Sequence, residues 1–65
     1  MADDKVVKPG SLIVAQVVRA TSYGCAVHYG EYTGAVTGKS AAAGERIKVL
    51  VADLNGRHFH GSRLD

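Results

Sequence analysis

Short apolar runs recur along the chain, each bounded by residues that are typical of turns. The clearest run, 46–52, alternates, so that Ile47, Val49 and Val51 share one face of a strand and the basic residues Arg46 and Lys48 share the other. The run 12–20 is rich in β-branched residues but apolar on both faces. It therefore predicts a long strand that is either covered on both sides or bent near Ala15.

Three shorter segments bring the prediction to five strands. Residues 25–29 and 34–38 are the second and third strands, and 57–63 returns after an Asn-Gly hairpin turn at 55–56. Segment 39–44 is too short for a stable helix and is predicted to be a connector. The pattern predicts an all-β fold, a small five-stranded OB-fold barrel in which the helix between the third and fourth strands is reduced or absent. An SH3-like barrel is the alternative.

The alternation also predicts the core, but it leaves the last strand undecided. The predicted core residues are Val17, Val27, Val36, Ile47, Val49 and Val51. Cys25 is expected to be a buried, slowly reacting thiol. In the last strand, His58 and His60 share one face and Phe59 takes the other. If Phe59 is in the core, both histidines are outside; if Phe59 faces outward with Arg57, both histidines point inward.

Composition and charge narrow the class of protein. The chain has 65 residues, 46% of them hydrophobic, and a net charge of +2, which permits a polyanionic partner without requiring one. We expect a tail at 1–8 and a single domain at 9–65. The single cysteine excludes an intramolecular disulfide and fits a reducing cytosol. Asp3 and Asp4 stand where a signal peptide would carry positive charge, so we expect a cytoplasmic protein. The apolar runs are too short to span a membrane, so we expect no membrane association. We also expect a monomer.

Five pieces follow one another in a particular order and spacing across residues 9–63. They are Gly10 with Val17, Tyr23-Gly24-Cys25-Ala26-Val27, Gly34-Ala35-Val36, Gly44 ahead of Ile47-Lys48-Val49-Leu50-Val51, and Asp53 with Gly56-Arg57. In this order they resemble the S-one domain, an OB-fold module named after ribosomal protein S-one, and more distantly bacterial initiation factor one. The resemblance implies single-stranded RNA binding across the second and third strands by two aromatic residues, a histidine, an aspartate and an arginine.

The resemblance assigns some of these roles to particular residues. Tyr23 matches the first aromatic residue, and Asp53 and Arg57 match the acid and the base four positions apart. The second aromatic residue is replaced by Ala26. His28, on the same strand face, is the candidate to take its place, with a solvated strand histidine as the alternative.

The position that holds a histidine in the S-one family corresponds to Thr37 or Gly38 in this chain. The pair Gly38-Lys39 is similar to initiation factor one. We add Lys39, Arg46 and Lys48 as candidate contacts to an RNA backbone, with solvated surface charges as the alternative reading.

The expected partners are single-stranded or ribosomal RNA and, within an assembly, ribosomal, polymerase or RNase subunits. The alternative function is an OB-fold module that docks a protein through Tyr29, Tyr32 and Phe59. We expect no enzyme activity, because no nucleophile is paired with a base. We also expect no cofactor and no metal: His58 and His60 would need convergent ligands, and residues 34–40 lack the spacing of a phosphate loop.

Overall fold

The computed structural model describes residues 7–64, which form five strands and no helix. The strands are β1 (Leu12–Thr21), β2 (Gly24–Tyr29), β3 (Tyr32–Thr37), β4 (Arg46–Asn55) and β5 (His58–Arg63). They close a barrel in the order β1-β2-β3-β5-β4, and β4 pairs back with β1. Neighbouring strands are antiparallel except β3 and β5, which are parallel. The prediction of an all-β, OB-like barrel with a connector in place of a helix is confirmed.

The bend in β1 lies further along the strand than predicted. β1 pairs with β4 over residues 12–16 and with β2 over residues 16–21. The register with β2 shifts between Val17 and Arg19, not at Ala15, which stays in regular pairing with β4. The extra residue is thus inserted just after β1 passes from one neighbour to the other, where a bulge increases the local bend.

The turn before β5 is displaced by one residue from its predicted position. β4 continues through Asn55, so the turn is Gly56-Arg57, and Gly56 has a φ of 64°. A positive φ favours glycine because glycine has no Cβ to clash with the backbone. As a turn residue, Arg57 is outside the alternation of β5 and does not constrain which way Phe59 faces.

The predicted core residues are all buried. The exposed fractions of Val17, Val27, Val36, Ile47, Val49 and Val51 do not exceed 2%. The core also takes in Val7, which the sequence placed in the predicted tail 1–8 and which is 1% exposed. The other residues of that tail, except Lys8, lie outside the described residues, as does Asp65 at the end of the predicted domain.

Phe59 settles the register of β5. Its ring is fully buried, and its backbone partner across the parallel β3–β5 pairing is Gly34. A Cβ at residue 34 would overlap the ring, so the ring occupies the space left by the missing side chain. Because Phe59 points inward, His58 and His60 lie on the outer face and are exposed.

Cys25 is fully buried in β2 and is a free thiol. Burial raises the pKa of this thiol above its usual value, and attraction by the Arg63 guanidinium offsets only part of that effect. The thiolate is the nucleophilic form, so both the lost access and the raised pKa slow reaction with thiol reagents.

We expect Gly34→Ala to lower the free energy of unfolding by about 1–3 kcal/mol, because the added methyl group overlaps the Phe59 ring. Phe59→Leu should relieve part of this clash. A double-mutant cycle by urea denaturation should therefore give a coupling energy of about 1 kcal/mol. Additive effects of the two substitutions would show that the ring and residue 34 are not in contact.

Cys25 should react slowly with a thiol reagent at neutral pH, and its rate should keep rising to a higher pH than that of a free cysteine. The matched control is Ser22→Cys in a Cys25→Ala background, which places a thiol in the exposed β1–β2 turn. Equal labelling rates for the two thiols in the folded state would contradict the buried position.

Candidate functional site

A shallow groove of about 380 Å³ runs over the outer face of β2, β3 and β5. Its floor is formed by small residues, because Ala26 and Ala35 face outward at adjacent positions of β2 and β3. Tyr23, in the β1–β2 turn, lines one part of the groove, and His58 and His60 on β5 line another. Small residues between larger aromatic side chains leave a planar ligand room to approach the strands.

The strand register arranges the outward side chains in rows. One row runs Arg19, Ala26, Ala35, His60 and Asp53, each residue paired with the next across neighbouring strands. The adjacent row runs Gln16, His28, Thr33, His58 and Asn55. The groove therefore lies between a cationic residue on β1 and an acidic residue on β4.

The two histidines of β5 form one side of the groove. Their rings stack edge to face, with centroids 5.1 Å apart and an angle of 88° between the planes. Thr33 Oγ1 and His58 Nδ1 are joined by a hydrogen bond of 3.1 Å. These contacts restrict the orientation of His58, while both rings stay exposed. Aromatic rings of this kind can stack on unpaired bases.

Tyr23 and Thr37 lie at the same end of this face. Tyr23 is 50% exposed, and its carbonyl accepts a hydrogen bond from the Gly38 amide at 3.2 Å. Thr37 points outward beside Gly24 of β2, and its hydroxyl donates to the Gly61 carbonyl at 3.4 Å. Lys39 follows in the loop after β3, where its carbonyl accepts from the Arg63 guanidinium at 3.2 Å.

Asp53 and Arg57 lie on the other border of the face. Asp53 is the backbone partner of His60, and its carboxylate accepts a hydrogen bond from the Leu54 amide at 2.9 Å. Arg57 lies 3.5 Å from Glu31 in an exposed ion pair that links the β4–β5 turn to the β2–β3 turn. Exposed pairs of this kind are weak, at about 0–1 kcal/mol, so Arg57 can exchange this partner for another anion.

The remaining predicted site residues, His28, Arg46 and Lys48, lie at the edge of the groove or away from it. His28 stands between the groove and a second depression of about 270 Å³, which it lines together with Gln16 and Arg46. Arg46 and Lys48 point outward from β4 next to β1, and these two strands close the barrel on the side opposite β3. The structure thus places Tyr23, Thr37 and Asp53 around one face and Arg46 beside Gln16 at its margin, whereas Lys48 lies apart from them.

One of the three aromatic residues considered for protein docking is not at the surface. Phe59 is fully buried, and Tyr29 and Tyr32 are partly buried against the core. The prediction that Phe59 is exposed in a docking surface was wrong, because the pattern of β5 alone does not show that its ring packs against Gly34.

Sequence reasoning missed several residues of the groove. Arg19, Thr33 and Ala35 line it, and none of them was a candidate. One feature of the sequence could have predicted that His58 and His60 face outward. Phe59 is the only phenylalanine of the chain. In so small a domain its burial is worth about 1.5–3 kcal/mol, which favours the register with both histidines outside.

The side chains that line the groove offer stacking, hydrogen bonding and weak charge pairing. Within residues 7–64, no group of three or more His, Cys, Asp or Glu side chains is arranged to hold a metal ion. The same residues contain no helix able to cross a membrane.

Neither a protein-family model nor a curated protein sequence matches this chain. A solved structure does: the uncharacterized protein MJ1198 from Methanocaldococcus jannaschii superposes with a TM-score of 0.76 at 20% sequence identity. The match covers 91% of this chain and 95% of the archaeal one. At this identity the similarity establishes a shared barrel fold.

Proposed function

We propose that the groove over β2, β3 and β5 binds single-stranded RNA, and that the chain acts as an S-one-like OB module. The observation that carries the proposal is that the exposed rings of Tyr23, His58 and His60 line one groove. The floor of this groove is formed by two alanines. OB barrels bind oligonucleotides on the face of strands 2 and 3 and with the loops β1–β2 and β4–β5. Tyr23 lies in the first of these loops and Arg57 in the second.

Stacking supplies the main attraction in this proposal. A base stacked on an aromatic side chain is worth about 1–3 kcal/mol, and stacking tolerates any base. Two such platforms together supply about 2–6 kcal/mol, whereas a micromolar Kd requires about 8 kcal/mol. Ordering the RNA strand costs further free energy, so the affinity should be no better than micromolar at physiological salt. The binding should therefore be weak and depend little on sequence.

The charges around the groove fit an RNA strand that enters the groove along β1. Arg19 contributes a cation on that side, whereas Asp53 on β4 can accept a hydrogen bond from a base edge or a ribose hydroxyl. Arg57 is close enough to the histidine row to reach a phosphate after leaving Glu31, since its carbonyl already accepts from the Thr33 amide at 2.9 Å. Four further predictions accompany this proposal. They are membership in a ribosomal, transcriptional or RNA-processing assembly, a non-catalytic role, a monomeric state and a cytoplasmic location.

We expect Tyr23→Ala to weaken binding of a fluorescently labelled, short single-stranded RNA by about tenfold, as measured by anisotropy, because one stacking platform is lost. Tyr23→Phe keeps the ring and should bind as the parent does. Val14→Ala is the matched control, since Val14 is similarly exposed, at 53%, on the far side of the barrel. If the parent does not bind RNA, or Tyr23→Ala binds as well as the parent, the proposal is wrong.

We expect Arg19→Ala to reduce the slope of log affinity against log salt by about one contact, because Arg19 lies at the groove. Lys48→Ala removes the same charge on the opposite side. The barrel is about 20 Å across, and charges are screened over about 8 Å at physiological salt, so this control should keep the parent slope. A slope that responds to Lys48 and not to Arg19 would place the RNA on the other face.

A further inference from the structure

The outer face of β1 and β4 carries an exposed aliphatic patch, formed by Leu12, Val14, Leu50 and Leu64. Leu12 and Leu50 are backbone partners across the two strands, and the Leu64 amide donates to the Lys48 carbonyl at 3.0 Å. The exposed fractions of Leu12 and Leu64 are 69% and 49%. A strand that is apolar on both faces normally has both covered, yet nothing within residues 7–64 covers this one.

A basic pair, Arg46 and Lys48, adjoins the aliphatic patch. Lys48 lies opposite Val14 and lines a depression of about 280 Å³ together with Leu12, Val14 and Leu64. Arg46 precedes Lys48 by two residues on the same face of β4 and lies opposite Gln16. Within the described residues 7–64 neither cation is in an ion pair, and the nearby Glu45 accepts a hydrogen bond from the Ala42 amide at 2.9 Å. The basic pair is therefore available to an external anion.

The composition of this face selects among possible partners. Its exposed apolar side chains are aliphatic, so it offers no aromatic platform for bases. A second copy of the chain would bring like charges of two basic pairs together, which opposes association. The barrel is closed, so β1 and β4 have no free edge for an added strand. Docking here must use side chains, with apolar groups on the patch and carboxylates on the basic pair.

We propose that this face docks an acidic protein segment with aliphatic anchors: its apolar side chains cover the aliphatic patch and its carboxylates pair with Arg46 and Lys48. The segment would bind on the side opposite the groove, so the barrel could hold RNA and a protein at the same time. This interaction is independent of RNA binding.

The test is an amide chemical-shift titration of the isotopically labelled protein with a short peptide of alternating leucine and glutamate. We expect saturable shifts confined to residues 12–14 of β1, residues 46–50 of β4 and Leu64. Leu12→Ser and Lys48→Glu should each weaken the binding by about tenfold, whereas Arg19→Glu, on the groove side, should leave it unchanged. The Leu12→Ser variant should bind the labelled RNA as the parent does, which separates this proposal from the groove.

Two further probes complete the test. A peptide of alternating serine and glutamate tests for charge alone, and vesicles of phosphatidylserine and phosphatidylcholine test for a lipid surface. The proposal requires that neither probe binds this face as tightly as the leucine-glutamate peptide. Shifts outside this face, equal binding of the serine-glutamate peptide, tighter binding of the vesicles, or an unchanged affinity in Lys48→Glu would overturn it.

Discussion

Gly34 and Phe59 lie opposite each other in the parallel pairing of β3 with β5, and the aromatic ring fills the space where a side chain on residue 34 would stand. This contact has two consequences. It gives a small core a large buried side chain, and it fixes which residues of β5 face outward. Side chains of a strand alternate, so an inward Phe59 requires His58 and His60 to face solvent. The groove depends on that register.

The barrel separates two kinds of surface that are mixed along the sequence. Stacking and hydrogen-bonding groups collect over β2, β3 and β5, whereas exposed aliphatic and basic groups collect over β1 and β4. Residues only four positions apart in the chain can belong to different surfaces, as do Val18 at the groove and Val14 in the aliphatic patch. The register shift in β1 allows this, because it changes the face to which the strand contributes.

The sequence predicts those parts of the fold that local alternation determines. In β4, the alternation of Ile47, Val49 and Val51 with the basic residues Arg46 and Lys48 suffices to identify the inward residues. In β5, the pattern around Phe59 is compatible with either register, and the decision comes from a residue 25 positions earlier, Gly34. The same limit applies to the site. Tyr23 is found through a resemblance at a turn, but the position of Lys48 on the far side follows from barrel closure, which no local pattern encodes.

The most direct test of the account is a nuclear Overhauser spectrum of the protein bound to a short single-stranded RNA. We expect contacts from base protons to the rings of Tyr23, His58 and His60, together with contacts from the Phe59 ring to the α protons of Gly34. Base contacts to the side of the barrel that carries Lys48, or contacts from the histidine rings to the buried methyl groups of Val36, would contradict it.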